Sequence, residues 1–166
     1  VIDERPSMDH TLMDMAVVMA RRGTCSRASV GVVVAREGRV LTTGYNGAPR
    51  GLKHCLHPPG ETSASRDAEA PTCTLAVHAE ANAVAFAARH GIALAESALY
   101  TTLSPCIPCA QLIVNAGIRS VYVDVPYRNL SGVRLLNEAA IIVFTRDASL
   151  PTFGWYRDYG QDRTTT

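Results

Sequence analysis

From residue 77 to residue 145 the chain alternates in type without a break, and that alternation restricts the available folds more than any other feature. A helical pattern over 77–90 is followed by the strand ALYTTL (98–103), a helix over 105–116, the strand SVYVD (120–124), a short helix over 132–139 and the strand IIVFT (141–145). Strands alternating with helices in this way form βαβ units, which predicts an α/β protein with a mixed sheet and helices on both faces. Upstream, SVGVVVAR (29–36) and RVLTTGY (39–45) are rich in valine and threonine and joined by Glu37-Gly38, a pattern that predicts a hairpin. Before them Asp9 is placed to cap a helix over 10–22, whose Leu12, Met13, Ala16, Val17 and Ala20 recur at helical spacing until Gly23 stops the run.

The remaining segments are less regular. Residues 46–73 lack periodicity and are rich in glycine, proline and serine, which is long for an unsupported connection, so something should tie them down. Within them, PPGETSASRDAEA (58–70) reads as solvent-facing and mobile. The tail 146–166 carries Phe153, Trp155, Tyr156 and Tyr159 and is expected to dock on its own domain or on a neighbouring subunit. At 166 residues the chain predicts a single domain, with a core over about 9–145.

Charge narrows the choice of partner. Sixteen Lys and Arg face fifteen Asp and Glu with no basic cluster, so the electrostatic footprint of a nucleic-acid binder is missing and a small-molecule substrate is expected. No apolar run approaches the ~20 residues of a membrane span, and VIDERPSMDH lacks the order of a secretory signal. A soluble, cytoplasmic protein is the expectation, in the host cytoplasm if the source is viral. Five cysteines, an odd number, suggest thiols kept reduced or bound to metal.

Two segments carry chemistry. LAVHAEANAV (75–84) opens a helix so rich in alanine that it reads as buried nearly all round, and it nevertheless holds His78 and Glu80. An unpaired buried carboxylate is costly, so Glu80 needs a partner or a task. SPCIPCA (104–110) places Cys106 and Cys109 on one face at the opening of the next helix, with Pro105 suited to its first turn. The helix dipole there favours thiolates. A lone C-x-x-C also fits a redox pair or half a zinc ribbon. Redox use needs no histidine, and a ribbon needs a second close pair that Cys25, Cys55 and Cys73 do not supply. His78 with Cys106 and Cys109 would give Zn²⁺ three protein ligands and leave the fourth position to water, which is a catalytic arrangement. Glu80, two residues from His78, would sit beside the metal and carry protons.

His78-Ala79-Glu80 with Pro105-Cys106-Ile107-Pro108-Cys109 resembles the H-x-E…P-C-x-x-C pattern of zinc deaminases, in which the glutamate is not a ligand. The order of elements resembles the cytidine deaminase-like fold, implying a three-layer α/β/α arrangement around a mixed central sheet of about five strands. Closer still, the chain resembles the deoxycytidylate (dCMP) deaminase family over most of residues 22–145. Ser29-Val30-Gly31-Val32, Gly44-Tyr45-Asn46-Gly47-Ala48-Pro49, CTLAVHAEANAVAFAARHG, LYTTLSPCIPCAQLIVNAGI and Tyr127 carry that resemblance. It implies zinc-dependent hydrolysis of dCMP to dUMP and ammonia, feeding thymidylate synthesis. It further implies that Asn46 contacts the sugar and that Ala79 lies at the substrate. Arg27 suits the 5′-phosphate, with a solvated surface arginine as the alternative. Tyr127 could flank base or sugar, or be an ordinary core or surface tyrosine. Members of the family are commonly homo-oligomers, often hexamers, with dCTP and dTTP as effectors and Mg²⁺ accompanying the nucleotide. In regulated members the segment matching Gly44, Tyr45, Asn46 and Gly47 borders the effector pocket.

Cys25, Cys55 and Cys73 lie outside this set. Three thiols and one imidazole would close a tetrahedral structural zinc site, with His57 or His54 as fourth ligand, and would support the irregular segment. Free buried cysteines acting as small hydrophobes are the alternative. Many bacterial and phage dCMP deaminases resemble this chain in carrying a second, cysteine-bound zinc. Other chemistries stay open: action on CMP or a 5-modified dCMP, tRNA adenosine deamination, for which a basic surface is lacking, and a zinc-stapled module without catalysis.

Overall fold

The computed structural model describes residues 5–57 and 73–145. The elements run α1 (Met8–Ala20), β1 (Gly31–Arg36), β2 (Arg39–Tyr45), α2 (Ala79–His90), β3 (Ala98–Leu103), α3 (Ile107–Asn115), β4 (Ser120–Val125), α4 (Ser131–Glu138) and β5 (Ile142–Thr145). They build one mixed five-stranded sheet of order β2-β1-β3-β4-β5. β1 is antiparallel to both β2 and β3, while β3, β4 and β5 are parallel.

Strand alternation divides the core in two. Val32, Val34, Leu99, Val121, Val123 and Val143 point to one face, where Ala79, Ala83, Ala87, Ala110, Ile113, Val133 and Leu136 from α2, α3 and α4 cover them. Val33, Ala35 and Tyr100 point to the other, against Leu12, Met13 and Ala16 of α1. The result is the expected three-layer α/β/α arrangement. Tyr100, Tyr122 and Phe144 stack across β3, β4 and β5 with centroids 4.5 Å apart. The Glu37-Gly38 turn has φ of 52° and 71°, the double positive pair of a type I′ hairpin.

Several boundaries differ from the sequence expectation, each for a local reason. α1 starts at Met8 because Ser7, not Asp9, is its cap: the Ser7 hydroxyl accepts from the His10 N–H at 3.1 Å. Asp9 instead accepts a hydrogen bond from the Tyr100 hydroxyl at 2.7 Å. β1 begins at Gly31 because the Val30 N–H is taken by the Asn46 side chain. α3 starts at Ile107, with Cys106 as its cap and Pro108, rather than Pro105, in the first turn. α2 is not buried all round: Ala79, Glu80, Ala83 and Ala87 face inward, while Phe86 is half exposed. Alanine suits either environment, so an alanine-rich run does not reveal its outer face. Among the described residues no helix is long and apolar enough to cross a membrane. The expectations for 58–70 and for the aromatic tail lie outside the described residues.

Topology places the chemistry. Since β2 and β3 are both antiparallel to β1, they run the same way and end at the same edge of the sheet. α3 follows β3 directly from that edge. α2 returns there through an antiparallel bridge between Gly47 and Val77, with N–H···O distances of 3.1 and 2.8 Å. His78 and Cys106, the caps of the two helices, therefore open side by side.

Candidate active site and metal centres

The sulfurs of Cys106 and Cys109 lie 3.4 and 3.5 Å from His78 Nδ1, and the three ligand atoms all lie within 4.8 Å of one another. Tetrahedral zinc with Zn–S near 2.3 Å and Zn–N near 2.0–2.1 Å requires nitrogen and sulfur ligands about 3.6 Å apart. The donor set and its spacing fit that ion. Two glycines let the helix openings sit this deep. A β-carbon on Gly44 would overlap the Ala79 carbonyl oxygen, and one on Gly132 would overlap that of Pro105.

The electrostatics of the cluster couple its three ligand atoms and Glu80. The hydrogen bond from Cys109 and the nearby His78 bring the Cys106 thiol down to about 4, despite opposing burial. The same hydrogen bond, then burial, pushes Cys109 upward. The Cys106 thiolate raises His78. Glu80, in the first turn of α2, is only 4% exposed, and burial raises its carboxyl above the usual carboxylate range while it contacts Cys109. A buried carboxyl with a raised pKa, next to a metal-ligand set, is suited to accepting and returning a proton.

The expected substrate residues fall around this centre in different ways. Asn46 is buried with its amide engaged: Nδ2 donates to the Ala28 carbonyl at 2.6 Å and Oδ1 accepts from the Val30 N–H at 2.8 Å. In this structure it braces the segment that follows Arg27. Arg27 itself is half-buried at the start of that segment. Ala79 is fully buried. Its N–H belongs to the helix start, where backbone donors have no partner within the helix. Tyr127 is half-buried beyond β4; its N–H donates to the Ser104 hydroxyl at 2.7 Å, and the Arg128 guanidinium lies 5.2 Å from its ring centroid. Tyr45 closes β2, with the Arg22 guanidinium 5.9 Å from its ring centroid.

Two contributors escaped the sequence reading. Asn82 donates from Nδ2 to the Tyr45 carbonyl at 2.7 Å, and Ser104 holds Tyr127. The signal for Asn82 was its position as the third polar residue in an otherwise apolar run. Ser104 gave no signal beyond preceding the proline.

A second cluster gathers Cys25, Cys55, His57 and Cys73, whose ligand atoms also lie within 4.8 Å of one another. Of the two histidines considered, His57 joins it and His54 is exposed. Burial, then the Cys25 and Cys73 thiols, push Cys55 up to about 12. Against burial, the N–H groups of Ala76 and Leu75 and the side chains of His57 and Cys55 bring Cys73 down to about 7. Three sulfurs and an imidazole with one low thiol form a closed donor set of structural-zinc type.

Comparison with known proteins bears on both segments. Residues 6–125 match the family model of the cytidine and deoxycytidylate deaminase zinc-binding region. The chain is 37% identical to a deoxycytidylate deaminase of Schizosaccharomyces pombe over 139 residues, covering 82% of this chain and 42% of that protein. It is 39% identical to the deoxycytidylate deaminase of Mycobacterium phage D29 over 122 residues, 70% of this chain and 94% of the phage protein. The chain thus spans less than half the length of the yeast relative and nearly all of the phage one. The crystal structure of dCMP deaminase from cyanophage S-TIM5 in complex with dCMP and dUMP superposes with a TM-score of 0.74 at 28% identity, over 85% of this chain and 98% of that one.

Proposed function

The chain belongs to the cytidine and deoxycytidylate deaminase zinc-binding family, and from that premise we propose that it hydrolyses dCMP to dUMP and ammonia. The observation that carries the proposal is the pairing of a three-ligand His78, Cys106, Cys109 set with a buried Glu80 beside it. Relatives named deoxycytidylate deaminase, and a similar fold solved with dCMP and dUMP, favour dCMP among the cytosine nucleotides.

His78, Cys106 and Cys109 would hold a zinc ion, which would supply a water acidified toward neutrality. Glu80 would accept a proton from the attacking water and deliver it to the ring nitrogen next to the amino-bearing carbon, which makes the carbon electrophilic. As the water oxygen bonds to the carbon, Glu80 would carry the remaining hydroxyl proton to the amino group, so that the carbon–nitrogen bond breaks, ammonia leaves and the oxygen stays as the carbonyl. Burial keeps Glu80 basic enough to take the proton and, once protonated, able to give it up again. For the phosphate the reading assigns Arg27, for the sugar the segment held by Asn46 through Ala28 and Val30, and for base or sugar Tyr127, which is tied to Ser104.

The cluster of Cys25, Cys55, Cys73 and His57 would hold a structural zinc, giving two zinc ions per chain. The remaining parts of the reading rest on the family resemblance: dCTP and dTTP as effectors beside Gly44, Tyr45, Asn46 and Gly47, Mg²⁺ with them, and a homo-oligomer of the hexameric kind common in the family. Two cysteine-rich centres work where thiols stay reduced, which favours the cytoplasm.

Ammonia release from dCMP, CMP, deoxycytidine, dCTP and 5-substituted dCMP, with and without dCTP and dTTP, tests the assignment. dCMP is expected to turn over fastest, and absence of turnover with every one of these compounds would overturn the proposal.

A further inference from the structure

The segment 44–47 is fixed to its surroundings at every residue. Gly44 packs on the Ala79 carbonyl, Tyr45 accepts from Asn82, Asn46 bonds Ala28 and Val30, and Gly47 pairs with Val77. Two of these links are made by asparagine side chains. Asn82 works from the zinc-bearing helix, and Asn46 works toward the segment that carries Arg27. An asparagine inside a helix weakens it relative to alanine, because its amide competes with the backbone for hydrogen bonds. The observed bond to Tyr45, at 2.7 Å, is made across to another element and brings no gain to the helix itself.

From this we infer that Asn82 is a positioning residue: it sets the distance between the catalytic helix and the 45–47 wall of the nucleotide cleft. The inference rests on the deaminase reading above for its kinetic consequence, though not for its structural one. The line runs from Glu80 along α2 to Asn82, across to Tyr45, through Asn46 to Ala28, and so to Arg27. Without the Asn82 bond, the Tyr45 carbonyl loses its anchor and the wall shifts relative to Glu80. Substrate binding then suffers more than the chemistry, since His78, Glu80 and the two cysteines keep their places.

The test uses zinc-loaded protein with Asn82→Ala, which improves the helix former, and Asn82→Asp, which keeps the shape but replaces the donor by an acceptor facing Tyr45 O. In both, KM for dCMP is expected to rise about tenfold or more while kcat stays within about threefold and zinc content is unchanged. Amide hydrogen exchange at Gly47 and Val77 is expected to accelerate, because their mutual bridge adjoins the released carbonyl. A folded Asn82→Ala protein with unchanged KM, or with kcat lost at unchanged KM, overturns the inference. So does unchanged exchange at both amides. If the wild-type protein does not deaminate dCMP, the deaminase reading fails, and the exchange measurement alone decides whether Asn82 holds the wall. If the alanine variant does not fold, the aspartate variant gives the same two readouts.

Discussion

At the scale of single residues, the chemistry turns on where protons are held. Glu80→Gln preserves size and one hydrogen-bonding oxygen but cannot carry a proton. It is expected to keep zinc and fold while turnover drops by about 10²–10⁴-fold, the range for loss of a general acid–base. Metal analysis together with steady-state rates checks this, and near-normal turnover would refute the role. Tyr100 gives a prediction of another kind. Burial, then Asp9, raises Tyr100, and the same causes hold Tyr122 up at about 12. Both pKa values lie above that of an unfolded tyrosine, so the neutral form favours the fold. Their contribution is complete below about pH 10, the unfolded value, and is lost as pH climbs through the folded ones. Urea midpoints between pH 7 and 11 should therefore fall above pH 10, and less steeply in Tyr100→Phe. At pH 7 that variant should lose about 1.5 kcal/mol, the worth of a hydrogen bond to a carboxylate. An alkaline slope equal to the wild type's would rule out Tyr100 as its source. Cysteine and histidine ligands were legible in the sequence because thiols and imidazoles near one another have few other uses. The partners of Asn46 and Asn82 were not, because a neutral amide can bond any backbone group that folding brings near.

Elements bring these residues together by their ends rather than by their length. His78 and Cys106 are both helix caps, and neither uses its side chain to cap. That position leaves their ligand atoms free to converge. The sequence pattern located the nine elements of the described residues and the starts of β2, β3 and β4, but misjudged others: Ser7 and Asp9 are both capping types two residues apart, and only the fold decides between them. Close approach was equally hidden. Gly44 is legible as a glycine in a strand, but its contact with the Ala79 carbonyl is a tertiary fact. Gly44→Ala is expected to destabilise the protein by about 1–3 kcal/mol, since the clash is with backbone and cannot relax by a rotamer change. The same displacement of α2 should weaken zinc retention at His78, Cys106 and Cys109. Thermal melts and chelator competition would measure both effects, and an unchanged melt would mean that α2 has room to move.

For the whole molecule, the sheet order decides that one edge carries the chemistry. Alternation of helices and strands announced a mixed sheet, but the order β2-β1-β3-β4-β5 depends on long-range pairing that no local pattern records. The four-residue cluster of Cys25, Cys55, His57 and Cys73 joins three separate parts of the chain; chemistry narrowed its fourth member to His57 or His54, and only the fold selects His57. Cys55→Ser is expected to lower zinc from two ions to one per chain and to cost about 3 kcal/mol, the chain-entropy value for a cross-link closing a loop of this size. The centre at His78 should stay loaded. A single zinc per chain in the wild-type protein would contradict this.

The Gly47–Val77 bridge and the cluster spanning Cys55 and Cys73 close the same excursion of the chain at two successive points. With zinc bound, Cys55 and Cys73 would be held together, and an insertion into the 58–72 stretch between them is expected to cost its own closure entropy, about 0.6 kcal/mol for each doubling of a flexible loop. This makes it the natural place in the sequence to graft a tag, a reporter or an extra segment. The Gly47–Val77 bridge then stands between any insertion and the edge of the sheet where His78 and Cys106 open.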